Sequence, residues 1–388
     1  MSRERTAEFR PDYALPPGEY LAIVLDRLGM TQADLAARTG LSTKHVNQII
    51  NRGASVTADT AAQLEYATDV PAELWAALDA RHHALMARSR ARMRLESALD
   101  WLDRFNLKEL ADRGVVPEAK RGVGTLEALL RFFGIADPDG WDRVWVPSIA
   151  SFRRSPSFAP DATATTVWLR AGQRLANEIV AKPFNERALL DAMPELRRMT
   201  CAEPADALSE LQELMRGFGI AVVYVAEFDG CRASGATWWA TPSKAVVMLS
   251  NRGKREDRFW FSFFHEIGHV LFHAKRDTFI DQNRSEDSDD DRPPWDDPAP
   301  ASGFIDDGSR DSHLEEEADE FASATLIPRE HLPDIPRLST LQAVVELAAR
   351  IGVSAGVVAG RYQYETGDYT KFNRLRRKVP HGLFTEIH

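Results

Sequence analysis

The apolar run from Phe259 to Phe272 constrains the fold most, because it carries His265-Glu266-Ile267-Gly268-His269 inside it. A helix that is apolar on nearly every side is predicted to be buried. On that helix His265 and His269 lie about 40° apart around the axis and can hold one metal ion between them. Glu266 lies about 100° from His265, within reach of a water on that metal. We favour this interpretation over two locally hydrogen-bonded histidines, since each unpartnered buried polar group costs roughly 1–3 kcal/mol.

A catalytic metal of this kind needs a third protein ligand and an open position for water. His273 lies four residues beyond His269, where it would face the same side of the helix. A histidine near a helix C-terminus is also favoured by the helix dipole, however. We therefore assign His273 a structural role and look for the third ligand further along the chain.

The segment Leu314–Ala322 supplies the third ligand in our interpretation. Its apolar stripe predicts a helix, and Glu315 lies about 60° from the centre of that stripe. Glu317 lies about 100° away and Glu316 about 160° away, which leaves Glu315 best placed to point inward. Asp319, one turn later, is predicted to accept a hydrogen bond from a ligand histidine.

Strands are predicted on the N-terminal side of the motif helix. The β-branched run Ile220–Val225 predicts one strand, and Gly235–Ala240 with Lys244–Leu249 predicts a hairpin. A strand beside such a helix can pair with an extended peptide. We expect the hairpin that contains Gly235–Ala240 to do so.

Taken together, these residues resemble the ImmA/IrrE metallopeptidase family. The resemblance covers roughly residues 205–335 and is carried by residues 265–273, Glu315–Ala322 and Leu326-Ile327-Pro328. It implies a zincin-like α+β fold and a zinc ion, Zn²⁺, bound by His265, His269 and Glu315, with Glu266 as the general base. It also implies a protein or peptide substrate, often a repressor of transcription.

The acidic insertion at residues 281–311 departs from that family's pattern. It is rich in Asp, Pro and Ser, a composition typical of a loop. Residues 281–320 contain 16 Asp or Glu and 3 Lys or Arg, a local charge of −13, whereas the whole chain carries −10. The rest of the chain is therefore slightly basic, and its acidic pI does not exclude nucleic-acid binding.

The N-terminal segment predicts two short helices joined by a tight turn. Gly29 ends a first helix, Thr31 is a predicted N-cap, and Ser42 is predicted to begin a third helix after a turn at Gly40. Ala36, Ala37 and Gly40 are small, and we expect them to let two helices cross closely, as a helix-turn-helix requires.

The helix after Ser42 has a polar face suited to a DNA major groove. Val46, Ile49 and Ile50 are predicted to be its buried stripe, and donor and acceptor side chains point away from them. A small helical bundle with an ordinary polar face is the alternative. The predicted DNA-binding residues are Gln32, Ser42, Thr43, Lys44, Asn47, Gln48 and Asn51.

Residues 15–80 resemble Cro/repressor-like (XRE) helix-turn-helix proteins, and among them the HigA-type antitoxins. The resemblance implies operator DNA as a partner and a toxin as a further partner. Residues 1–80 contain 7 Lys or Arg and 11 Asp or Glu. Because of this acidic balance, DNA binding would require either a homodimer or a contribution from the five arginines at positions 81, 88, 90, 92 and 94. A solvated basic linker helix is the equal alternative for those arginines.

The whole chain is predicted to be a mainly α, multi-domain protein with an all-α N-terminal domain. With two cysteines, no long apolar run and no signal-peptide core, it is expected to be cytoplasmic with no membrane partner. The predicted segments are 1–80 (DNA binding), 81–200 (helical connector or sensor), 201–335 (peptidase) and 336–388 (C-terminal helices and basic tail).

Two functions fit this organisation. The first is a DNA-binding transcriptional regulator with a zinc-dependent endopeptidase domain that hydrolyses a regulatory protein, such as a repressor or itself. The alternative is a non-proteolytic repressor or antitoxin whose peptidase-like domain senses a ligand or partner. The intact set of His265, Glu266 and His269 favours the first, since a binding domain has no need of Glu266.

Overall fold

The chain folds as two compact units that divide after Asp100. Its structure, a computed structural model, describes residues 15–150, 161–252, 254–273, 279–282, 308–380, 382 and 384. Helices dominate both units, and the described strands all lie in the C-terminal one. The predicted class is confirmed: mainly α, with an all-α N-terminal domain and an α+β domain after it.

Two of the helices in the N-terminal unit begin at the predicted caps Thr31 and Ser42. Thr31 accepts a hydrogen bond from the backbone N–H of Asp34, and the Asp34 carboxylate accepts one from the N–H of Thr31. Ser42 accepts a hydrogen bond from the backbone N–H of His45. Each bond satisfies a donor that the first helical turn leaves without an intrahelical partner. The helices are α1 (Pro17–Leu28), α2 (Gln32–Thr39), α3 (Thr43–Arg52), α4 (Ala58–Thr68) and α5 (Ala72–Glu96).

The closest helix crossing in this unit is at Gly18 on α1. A Cβ there would overlap the backbone carbonyl of Ile49 on α3. The expectation that Ala36, Ala37 and Gly40 provide the crossing is therefore only partly met. Ala36 is buried, but Ala37 is exposed, and nothing lies close to Gly40, whose φ of 73° shows that it serves the left-handed turn.

The C-terminal unit begins with a series of helices before its sheet. Trp168 is fully buried, and its indole N–H donates to the carbonyl of Val225, which ties one of these helices to the end of the first strand. The helices are α6 (Leu107–Asp112), α7 (Val123–Phe133), α8 (Pro138–Ala150), α9 (Ala162–Glu178), α10 (Glu186–Asp191), α11 (Met193–Met199) and α12 (Pro204–Gly217). Short 3₁₀ helices span Leu99–Arg104, Arg329–Arg337 and Asn373–Leu375.

The sheet has the order β1-β3-β2-β4 among the described residues, with strands β1 (Ile220–Tyr224), β2 (Ala233–Thr241), β3 (Lys244–Leu249) and β4 (Phe279–Gln282). β2 and β3 form the predicted antiparallel hairpin, and β1 pairs with β3 in parallel. β4 pairs antiparallel with the other edge of β2. β1 and most of β3 are buried, as expected for strands in the centre of a core.

Helix α13 (Glu256–Phe272) packs on this sheet and against α14 (Gly308–Leu326). Its first fifteen residues are buried, as the apolar run predicts. Helices α15 (Leu341–Ile351) and α16 (Ala355–Thr366) complete the unit. In the described part of the chain no single helix is long and apolar enough to cross a bilayer, and only the bent pair α15 and α16 passes that test jointly.

The segment after α16 holds the N-terminal end of α13. Arg376 and Asp257 are both fully buried and form an ion pair, with 3.0 Å between Nε and Oδ2. Arg377 donates from Nε to the Glu256 carboxylate at 2.8 Å. Because Asp257 and Glu256 are the second and first residues of α13, these bonds fix the start of the motif helix.

Packing crosses the segment boundaries suggested at residues 80, 200 and 335. Helix α5 runs through residue 80 without a break. Leu196, Val344 and Phe384 share one hydrophobic core with α13. The four functional segments stay a prediction, but the chain packs as two units rather than four.

We expect Gly18→Ala to destabilise the N-terminal unit by about 1–3 kcal/mol, because the carbonyl of Ile49 belongs to the backbone and cannot rotate away. Hydrogen exchange of peptides from α1 and α3 in the full chain measures the change. Glu19→Ala, at the exposed next position, is the control and should change stability by at most about 1 kcal/mol. Equal protection in the two variants would contradict the close crossing.

We expect Arg376→Met to destabilise the C-terminal unit by about 3–5 kcal/mol, because it leaves the Asp257 carboxylate buried without its cation. Exchange in peptides from residues 256–273 reports the loss. Arg374→Met removes the same charge at an exposed site in the same segment and should have little effect. If both variants exchange alike, the buried pair does not hold α13.

Candidate functional site

The two motif histidines and the motif glutamate lie together on α13 and are almost completely buried. The exposed fractions are 2% for His265, 0% for Glu266 and 1% for His269. The Nε2 atoms of the two histidines face each other at 2.9 Å. This is the arrangement predicted from their i, i+4 spacing on a helix.

Helix α14 brings Glu315 to these histidines. Its Oε2 lies 3.3 Å from Nε2 of His265, and its Oε1 lies 3.6 Å from Nε2 of His269. Gly268 makes this approach possible, because a Cβ there would lie only 3.0 Å from the Cα of Ala318. The glycine within the motif therefore decides how near the carboxylate of α14 can come.

The three groups offer a donor set that fits a metal ion. One donor atom from each of His265, His269 and Glu315 lies within 4.8 Å of the others. Ligand atoms in a tetrahedral site with metal–nitrogen distances of about 2.0–2.1 Å lie about 3.3 Å apart. The observed separations of 2.9, 3.3 and 3.6 Å scatter around that value.

The protonation states also suit a cation. Burial lowers the pKa of His269 to about 4, so its imidazole is neutral at pH 7. Burial by itself raises the pKa of Glu315, but hydrogen bonds with His265 and His269 outweigh it and hold the pKa well below its ordinary value. A neutral imidazole nitrogen and a carboxylate are both ligands that zinc takes in His₂Glu sites.

Each of the two motif histidines also has a partner on its Nδ1 atom. Nδ1 of His265 lies 2.7 Å from Oδ1 of Asp319, which is the contact expected of Asp319 from the sequence. Nδ1 of His269 lies 2.7 Å from Nδ1 of His273. His273 caps the C-terminal end of α13, as a structural residue would, but its contact with His269 was not predicted.

Strand β2 positions Glu266. The hydroxyl of Thr237 donates to Oε2 of Glu266 at 2.6 Å, and Thr237 is only 1% exposed. A Cβ at Gly235 would overlap the Glu266 carboxylate. The sequence pointed to this hairpin as a neighbour of the site, but it did not identify Thr237 or Gly235, because their contact with Glu266 depends on tertiary packing.

The edge of β2 that was expected to receive an extended substrate is partly occupied. Ala233 to Thr237 pair with Gln282 to Phe279 of β4. The expectation is therefore wrong for that half of the strand, because its backbone groups already have partners within the chain. Of the acidic insertion at 281–311, residues 283–307 lie outside the described part of the chain.

Of the predicted DNA-binding residues, Gln32 lies on α2, Ser42 is the N-cap of α3, and the other five lie on α3. Thr43, Lys44, Asn47 and Asn51 are exposed, as is Ser42, whose hydroxyl caps α3. Gln32 and Gln48 are half-buried. The Asn47 amide donates to Gln32 at 3.4 Å, a bond that joins the two helices of the turn.

The buried side of α3 consists of Val46 and Ile49, whereas Ile50 is half-buried. The five arginines considered above all lie exposed on α5, and Arg92 pairs with Glu96 at 3.5 Å. Both interpretations of that basic stretch therefore stay open.

Comparison with known families matches both units. Residues 21–75 match a family described as Helix-turn-helix. Residues 218–293 match a peptidase family whose domain is described as IrrE N-terminal-like. The second match includes His265, Glu266 and His269 but ends before Glu315. A search of curated proteins finds no match.

Proposed function

We propose that this chain, which carries a helix-turn-helix domain and an IrrE N-terminal-like domain, is a DNA-binding regulator with a zinc-dependent endopeptidase site. The observation that carries the proposal is the convergence of His265, His269 and Glu315 on one point beside Glu266. In this proposal the first three residues hold zinc and Glu266 is the general base. The substrate is a protein that controls transcription, either a repressor or the chain itself.

Zinc held by this donor set supplies a Lewis acid that lowers the pKa of a water and polarises a carbonyl. The rest of the chemistry belongs to Glu266, which takes a proton from the attacking water and passes it to the leaving amine. Thr237 supports this role, since its hydroxyl holds one carboxylate oxygen at 2.6 Å. Fixing the carboxylate before substrate arrives removes a cost of orientation from the reaction.

DNA recognition is assigned to α3, which we place in a major groove. The exposed Lys44, Asn47 and Asn51 offer the donor and acceptor groups that base edges and phosphates require. The helix-turn-helix region carries more acidic than basic residues, so a single copy has little electrostatic attraction for DNA. We therefore propose that the chain binds its operator as a homodimer, in which two copies of α3 contact adjacent grooves.

The zinc and peptidase proposals are tested together on the full chain. We expect wild type and Glu266→Gln each to bind one zinc per chain, and His265→Ala and Glu315→Ala to lose it. Metal content after dialysis measures this. The same proteins are then incubated with helix-turn-helix repressors, and with the Glu266→Gln chain as a substrate.

We expect wild type to cleave at least one of these substrates, and Glu266→Gln to be slower by about 100-fold or more, since it cannot accept the proton. Products identified by mass spectrometry give the cut site. If zinc-loaded wild type matches Glu266→Gln on every substrate, the endopeptidase proposal is wrong. A non-proteolytic repressor or antitoxin that senses a ligand or a toxin partner is then the function to pursue.

The DNA-binding proposal is tested with a Lys44→Ala and Gln48→Ala double variant. We expect it to bind a duplex of its own upstream DNA at least about tenfold more weakly at fixed salt, because each contact contributes about 1–3 kcal/mol. Fluorescence anisotropy measures the affinity. Arg27→Ala with Gln63→Ala removes the same charge and amide from α1 and α4 and is the matched control. Unchanged binding by the first variant would rule out α3 as the recognition helix.

A further inference from the structure

His273 and Glu317 lie behind the proposed metal ligand His269 and have no role in the mechanism above. The side chain of His273 is 1% exposed, and its Nδ1 lies 2.7 Å from Nδ1 of His269. Its other nitrogen, Nε2, lies 3.3 Å from Oε2 of Glu317 on α14. The three side chains therefore form a continuous line from the proposed metal site to a carboxylate at the edge of the protein.

When His269 binds a metal through Nε2, the ring hydrogens of His269 and His273 can be arranged in only one way. That nitrogen then presents its lone pair, so the ring hydrogen of His269 is on Nδ1. Nδ1 of His269 donates to Nδ1 of His273, which must accept with its own lone pair. The hydrogen of His273 is then on Nε2, where it donates to the Glu317 carboxylate.

For His265, a single partner accepts the ring hydrogen. Its Nδ1 lies 2.7 Å from Oδ1 of Asp319, so a carboxylate accepts its hydrogen directly. His269 lies one turn further along α13, and its hydrogen bond passes through an additional imidazole before it meets a carboxylate. Both ligand histidines are thus connected to carboxylates of α14, one directly and one through His273.

We propose that His273 and Glu317 are positioning residues that fix the tautomer and ring orientation of His269 for metal binding. The inference rests on the proposed zinc site. Glu317 acts through His273 and touches neither the metal nor the substrate. Hydrogen-bond partners of metal-bound histidines hold the ring in place and strengthen it as a ligand, and their loss typically weakens metal affinity by about 10–100-fold.

The experiment measures zinc affinity of the full chain by competition with a chromophoric chelator, and it does not depend on peptidase activity. We expect His273→Phe, which keeps the ring but removes both nitrogens, to weaken zinc binding by about 10–100-fold. Glu317→Gln, at a half-exposed side chain, leaves the core intact and is expected to weaken binding by about tenfold. Glu316→Gln removes the same charge from the exposed neighbouring residue and should leave the affinity unchanged.

A double variant separates positioning from general structural or electrostatic effects. If Glu317 acts through His273, then Glu317→Gln has no further effect once His273→Phe is present. Fully additive losses, or a Glu317→Gln affinity equal to that of Glu316→Gln, would overturn the proposal.

The wild-type and His265→Ala proteins distinguish the possible failures. Wild type that binds no zinc overturns both the proposed function and this inference. Zinc binding that is lost in His265→Ala but unchanged in His273→Phe and Glu317→Gln leaves the zinc site standing and overturns the role of His273 and Glu317 alone.

Discussion

The close packing of α14 on α13 at Gly268 and Ala318 is the contact on which the candidate site depends. It lets the carboxylates of one helix face the imidazoles of the other, so that Glu315 and Asp319 both reach His265. Buried imidazoles and carboxylates are costly unless they have partners. In this core the polar groups of each helix supply the partners of the other. A larger residue at position 268 would push α14 away from α13 and weaken the contacts of the buried imidazoles with its carboxylates.

The sequence predicted the parts of the site that depend on helical periodicity. The spacing of His265 and His269, and the choice of Glu315 from three consecutive acidic residues, follow from positions around a helix axis, which do not require knowledge of the fold. The structure brings these residues together as expected. In contrast, the contacts of Glu266 with Thr237 and of His273 with Glu317 join elements that are 29 and 44 residues apart in sequence, and no local rule specifies such pairs.

A similar division holds for the N-terminal unit. Caps and glycine turns act within three or four residues, and Thr31, Ser42 and Gly40 therefore mark helix ends correctly. The close crossing of α1 on α3 depends on Gly18, which lies 31 residues from Ile49 and gives no local signal of its role. The expectation that β2 has a free edge for a substrate was wrong for Ala233–Thr237 for the same reason, because β4, which follows the motif helix in sequence, pairs with that half of the strand.

The buried pair of Asp257 and Arg376 has a consequence for the order in which the protein is made. Asp257 is the second residue of the helix that carries His265 and His269, but its cation is supplied 119 residues later. When α13 and α14 have been synthesised, Arg376 and Arg377, which pair with the acidic residues at the start of α13, have not yet been added to the chain. The N-terminal end of α13 is therefore held in place only after synthesis has passed Arg377. By then the helix-turn-helix domain is already outside the ribosome. The helix-turn-helix domain can thus fold before the unit that contains the candidate site is stable.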